Sequence, residues 1–272
     1  MEYKNTYNSI NNKRPIAFFD SGVGGLTVFE KVKKLLPNEN YLYFGDTKNM
    51  PYGEKSKDQL LEYADKIFRF FEKHNAKAVV MACNTTSAVT YETLKDNYNF
   101  IVYPIIQSVC ATIAKLENVN KLGVIATPAT IKSMAYSKEI AKYNKDIKVY
   151  ELAAPNWVRI VEEHRINSPQ SILQVQEIIE QMLEHNPDKI VLACTHYPYL
   201  IDVLKKFAPE DMFIDPSVYF AQNIKQDLTR RNLLNDEQEY EKFYVSSDPK
   251  NFKEVSDIFL KTSILPSLLP NL

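Results

Sequence analysis

HNAKAVVMACNT (74–85) and HNPDKIVLACTH (185–196) align without a gap, and their agreement decides the fold. Each is a short apolar run that ends in a cysteine and a polar pair. Runs of this length, apolar at every position, mark strands buried on both faces, as in parallel sheets. Working outward, FIVYP (100–104) falls on MFIDP (212–216), and IAFFD (16–20) falls on GVIAT (123–127), at nearly constant spacing. One such match could arise because buried strands share a small alphabet. Several in register imply a duplicated unit.

The segments between these runs read as helices. Ser56 and Gln59 have the capping-box spacing and open a helix from about Lys57. Its apolar positions Leu60, Leu61, Ala64, Ile67, Phe68 and Phe71 share one face. YLYF (41–44), KLGVIA (121–126) and IKVYEL (147–152) read as further strands, and 169–184 as a second long helix. Strands alternating with helices give an α/β protein of two similar domains with parallel sheets, related by a pseudo-twofold axis. The expected organisation is an N-terminal flexible arm over 1–13, a first domain from 14–106 plus 219–272, and a second over 107–218. In the tail, a helix, the strand KFYV (242–245) and a last helix return to one of the domains.

Composition narrows the function. The 272 residues carry 33 Lys plus Arg against 34 Asp plus Glu, a net charge of −1. That balance gives no general electrostatic attraction to nucleic acid or an acidic membrane surface. No apolar stretch approaches the roughly 18 residues of a membrane span, and the polar, Asn-rich start has no signal-peptide core. Three cysteines without CxxC spacing argue against a disulfide scaffold or structural zinc and fit a reducing cytoplasm.

Glycine is scarce, six residues in all, where about 7% is usual. Five of the six lie in FFDSGVGGLTV and YFGDTKNMPYGE, each loop following an expected strand. Glycine there allows positive φ or close approach of backbone to a ligand.

Ligands of open parallel sheets bind beyond the carboxyl ends of the strands, which is where Cys83 and Cys194 fall. Two domains facing each other across a twofold axis would bring the thiols to one ligand from opposite sides. Inverting a carbon stereocentre needs that arrangement: one sulfur removes a proton from one face, and the other returns a proton to the opposite face. Each cysteine precedes a polar pair and then an expected helix, whose N-terminal amides would favour thiolate and could hold a carboxylate.

DSGVGGLTV, GDTKNMPYG, ACNTT and ACTHYP, in this order and spacing, resemble the glutamate racemases of the cofactor-independent aspartate/glutamate racemase superfamily. The resemblance spans essentially the whole chain after the N-terminal arm. It implies two flavodoxin-like domains with the active site between them. The implied activity is interconversion of L- and D-glutamate, supplying D-glutamate for peptidoglycan, without pyridoxal phosphate or metal. By the same resemblance, Cys83 is the base for D-glutamate and Cys194 the base for L-glutamate. Asp20 assists the first thiol and His196 the second, with Glu162 behind the histidine. Asp20, Ser21, Tyr52, Gly53, Asn84, Thr85, Thr195 and His196 are the implied substrate contacts. The expected partner is the small-molecule substrate glutamate, with no nucleic acid and no membrane; a homodimer is compatible with the reading.

Plainer roles compete. Free cysteine is often core, and Cys110, in the helical pattern of Ile106, Val109 and Ile113, reads as that. Cys194 and His196 could begin a metal site, but further ligands at suitable spacing are missing. Asp20 could cap the following helix. Asp46 reads as a cap or loop-orienting residue, and His74 and His185 as helix C-terminal residues favoured by the dipole. None of the proposed contacts is Arg or Lys, so binding would rest on hydroxyls, Asn84 and backbone N–H groups. Racemisation of aspartate, one methylene shorter, and a non-catalytic ligand-binding relative are the alternatives.

Overall fold

The computed structural model describes residues 12–260 and 263–270, and all but the last two residues of the expected 1–13 arm lie outside them. Two parallel sheets form the frame. The first half contributes β1 (Ile16–Asp20), β2 (Tyr41–Gly45), β3 (Ala78–Met81) and β4 (Ile101–Pro104). The second contributes β5 (Lys121–Ala126), β6 (Lys148–Ala153), β7 (Lys189–Ala193) and β8 (Phe213–Ile214). The tail adds β9 (Glu241–Val245) and β10 (Ser267–Leu268). The sheet orders are β10-β9-β2-β1-β3-β4 and β6-β5-β7-β8. Without the tail strands, the two orders are the same pattern shifted by four, as a duplication requires.

The apolar runs form strands because both sheet faces are covered. In β1, Ile16 and Phe18 enter one apolar cluster, while Ala17 and Phe19 enter another on the opposite face. This is the two-residue alternation of a strand buried on both sides. The helix Lys57–Lys73 begins with the full Ser56–Gln59 capping box and buries Leu60, Ala64, Ile67, Phe68, Phe70 and Phe71; Leu61 is half-buried. The first cluster of β1 also contains Leu122 and Val124 of β5 and Val191 of β7, so one buried apolar cluster joins the two halves. The helix Pro216–Arg230 lies at that junction, packed on the helices Leu26–Leu35 and Ile105–Ile113. Among the described residues no helix is long and apolar enough to cross a membrane.

The strand order reverses between β1 and β3, and again between β5 and β7. Crevices at such reversals, beyond the carboxyl ends of the strands, are the usual ligand sites of these sheets. Asp20 and Cys83 flank the first crevice; Thr127 and Cys194 flank the second.

Candidate active site

The two crevices face each other and are stitched by hydrogen bonds that cross from half to half. Thr195, one residue after Cys194, donates from its hydroxyl to Asp20 Oδ2 at 3.1 Å. Thr85, two residues after Cys83, shares a hydroxyl hydrogen bond of 2.8 Å with Thr127 at the end of β5. Each thiol loop therefore reaches the first-strand end of the opposite half. Tyr136 adds a further crossing bond, its hydroxyl donating to Asn84 Oδ1 at 2.7 Å.

The glycines serve close approach. None of those described has positive φ. A Cβ on Gly24 would lie 2.4 Å from Thr195 Oγ1 and 2.6 Å from His196 Nδ1, and one on Gly53 would lie 2.7 Å from Thr127 Cβ. At both positions a side chain would wedge the halves apart.

Cys83 and Cys194 are both buried, and a charge on Cys194 raises the energy of ionising Cys83. Cys83 is the N-cap of the helix Asn84–Leu94. Helix N-termini ordinarily favour thiolate, but here burial and the Asp20 carboxylate push the Cys83 thiol up to about 12. Thr86 at the helix start opposes that rise without cancelling it. The expectation of a thiolate at this position is thus reversed by desolvation and a neighbouring anion. Cys194, unlike Cys83, is not followed by a long helix. A 3-10 turn, Tyr197–Leu200, leads into the four-residue helix Ile201–Leu204. Pro198 has no N–H to close an α-turn onto the Cys194 carbonyl.

Asp20 is fully buried and accepts from the Gly22 N–H at 3.1 Å. Burial drives its carboxyl up to about 6, partly offset by the His196 charge and by hydrogen bonds from Gly22, Thr195 and Gly25. His196 stands between two partners: Nδ1 lies 3.8 Å from Cys194 Sγ, and Nε2 lies 2.6 Å from Glu162 Oε1. Burial alone would lower the His196 pKa. Its hydrogen bonds to Cys194 and Glu162, with their charges, overcome that and hold it well above the usual imidazole range.

Ser21, Tyr52, Asn84, Thr85 and Thr195 are buried around these groups, and Gly53 is half-buried beside Thr127. Of these residues, Asn84, Thr85 and Thr195 make hydrogen bonds that cross between the halves. Thr127, Thr130 and Tyr136 were missed, although laying IAFFD on GVIAT already sets Thr127 opposite Asp20. Thr130 extends the hydroxyl chain, 3.0 Å from Thr127 Oγ1. Cys110 is buried in the helix Ile105–Ile113, and His74 and His185 sit at helix C-termini. Among the described residues no group of three or more His, Cys, Asp or Glu could hold a metal ion.

The Asp/Glu/Hydantoin racemase family model matches residues 25–222. The chain belongs to this family. It is 37% identical over 253 residues to a glutamate racemase of Thermoanaerobacter sp. (strain X514), covering 92% of this chain and 95% of that one. The crystal structure of glutamate racemase from Francisella tularensis in complex with D-glutamate is similar at a TM-score of 0.88 and 33% identity, covering 95% of this chain and 98% of that chain. A glutamate racemase isoform from Bacillus anthracis gives a TM-score of 0.90 at 27% identity, covering 96% and 99%. The chain is accordingly an amino-acid racemase, an isomerase of this family, with the family's α/β architecture.

Proposed function

We propose that the protein interconverts L- and D-glutamate by a two-base mechanism, Cys194 serving the L enantiomer and Cys83 the D enantiomer. The observation that carries this reading is the crossed pairing of Thr195 with Asp20 and Thr85 with Thr127, which turns the two cysteine loops toward one shared site. The printed identities of the relatives, and the D-glutamate held by the Francisella structure, support glutamate as the substrate.

The two thiols stand in different electrostatic surroundings. Cys83 holds its proton, because burial and Asp20 oppose its ionisation. Cys194 receives a hydrogen bond from a His196 kept protonated with the help of Glu162. From L-glutamate, Cys194 takes the α-proton and becomes a thiol. Cys83 gives its proton to the opposite face and becomes a thiolate, and D-glutamate results. The reverse reaction exchanges the roles. The ammonium group of the substrate, seated near Asp20, offsets that carboxylate and draws the Cys83 pKa down when its thiolate is needed. Hydroxyls and backbone N–H groups of Ser21, Gly53, Asn84, Thr85 and Thr195 meet the two carboxylates. Being fixed dipoles, they stabilise charge spreading into the α-carboxylate without reorganising.

On this reading the product is D-glutamate for peptidoglycan, made in the cytoplasm by two domains over 14–106 plus 219–272 and over 107–218, with neither metal nor pyridoxal phosphate taking part. The test uses deuterated water. Either enantiomer of glutamate should gain solvent deuterium at the α-carbon while the opposite enantiomer forms, followed by circular dichroism and mass spectrometry. Absence of turnover on glutamate, with turnover on aspartate, would move the substrate assignment to the shorter acid.

A further inference from the structure

Asp46 directly follows β2 and is buried, and its carboxylate forms no salt bridge among the described residues, the exposed Lys66 acting on it only through longer-range charge. Three neutral donors hold it instead. Tyr52 donates its hydroxyl to Oδ2 at 2.5 Å, Asn49 donates Nδ2 to the same oxygen at 2.9 Å, and Ser246 donates its hydroxyl to Oδ1 at 2.7 Å. The Asp46 backbone N–H also donates to the Asp20 carbonyl at 3.0 Å. Ser246 lies just beyond β9, and its hydroxyl in turn accepts from the Lys48 N–H at 2.9 Å. Thr47 donates to the Ser247 carbonyl at 2.6 Å, and the Ser247 N–H returns a bond to the Thr47 hydroxyl at 3.0 Å. The strand contributed by the tail therefore clamps the loop that carries Tyr52 and Gly53.

A buried carboxylate without a direct ion-pair partner is costly unless hydrogen bonds satisfy it. Here the Tyr52 hydroxyl gives its one proton to Asp46, so it cannot also donate to a ligand carboxylate. What the loop offers the site is its backbone, held with Gly53 against Thr127 of the opposite half. We propose that Asp46 is a positioning residue for substrate binding: through Tyr52 and Ser246 it fixes the loop whose backbone at Tyr52 and Gly53 meets the substrate. This inference rests on the glutamate-racemase reading.

The experiment compares Tyr52→Phe, Asp46→Asn, the double variant and Ser246→Ala. Tyr52→Phe keeps the ring and removes one bond to a charged group, so KM for glutamate should rise about tenfold while kcat falls by a smaller factor. Asp46→Asn should do the same. The double variant should be no worse than the weaker single one, because both remove one shared interaction. Ser246→Ala, distant in sequence, should raise KM about threefold. Protection of Cys83 from iodoacetamide by glutamate should need correspondingly more ligand in each variant, a readout independent of turnover. Wild-type protein that fails to racemise glutamate would remove the underlying reading. Wild-type turnover with KM and protection unchanged in any of the single variants, or losses that add in the double variant, would overturn the role of Asp46. A lowered melting temperature with KM unmoved would likewise overturn it in favour of a purely structural role.

Discussion

Cys83 and Cys194 follow equivalent strands, but their neighbourhoods have opposite charge. Beside Cys83 stands a buried carboxylate, Asp20, which resists the thiolate. Beside Cys194 stands an imidazole that Glu162 helps keep protonated, and it donates toward the sulfur. Duplication supplied two similar sites; divergence at the first-strand ends, Asp20 in one half and Thr127 in the other, made them unlike. The lesson is that a near-symmetric frame can set two equivalent thiols in unlike electrostatic surroundings, one beside a carboxylate and one beside an imidazole.

The sharpest way to break the comparison is to remove one sulfur at a time. Cys83→Ser and Cys194→Ser should each lower racemisation by about 10²–10⁴-fold, the range of a lost general acid or base. Their exchange chemistry should differ. Cys83→Ser should retain some exchange of the L-glutamate α-proton with solvent and lose that of D-glutamate, and Cys194→Ser should show the converse. Equal exchange on both enantiomers in either variant would sink the assignment of faces.

Away from the site the halves differ again at matched positions. Lys77 is buried and pairs with Glu39, its Nζ also reaching the Asn12 carbonyl at 2.8 Å and the Leu233 carbonyl at 2.6 Å. Its counterpart Asp188 is an exposed carboxylate accepting from the Asn120 and Lys121 N–H groups at 2.7 and 2.8 Å. Lys77→Met strands the buried Glu39 charge and should cost about 3–5 kcal/mol in denaturant unfolding. Asp188→Ala should cost about 1 kcal/mol or less. Equal costs would mean that the two strand entrances are energetically alike.

Asp20→Asn addresses the pH behaviour. The folded-state pKa of Asp20 is raised from 3.8 to about 6, so its contribution to stability is fully present below pH about 4 and is lost as pH rises through about 6. Removing the charge should therefore stabilise the fold at neutral pH by up to about 3 kcal/mol, read by thermal and denaturant melts. It should also move Cys83 alkylation to lower pH, since a carboxylate that opposed ionisation is gone. In the wild type, kcat/KM should fall as pH drops through about 6. It should fall equally in both directions, because enantiomers have equal free energy. An alkylation profile that stays in place would show that Asp20 does not govern Cys83.

Much of this was legible in the chain. The run KLGVIA became β5 at its stated ends, and the capping box at Ser56 opened its helix as read, because both signals are local. Glu162 was assigned by resemblance alone, and its contact with His196 spans 34 residues that no periodicity links. Tyr136, reaching Asn84 across 52 residues, carried no signal beyond being aromatic in a helical stretch.

By itself the sequence determined β1 to β9 but not the two-residue β10, together with the repeat and the placing of a thiol at each of two equivalent strand ends, since apolar period and glycine placement act over a few residues. Tertiary structure alone decided the crossed threonine pairs, the closeness that requires Gly24 and Gly53, and the resistance of the Cys83 thiol to ionising. The physical reason is that contacts between distant segments follow from how two sheets pack, and a pKa follows from the water and charge that packing removes or brings near.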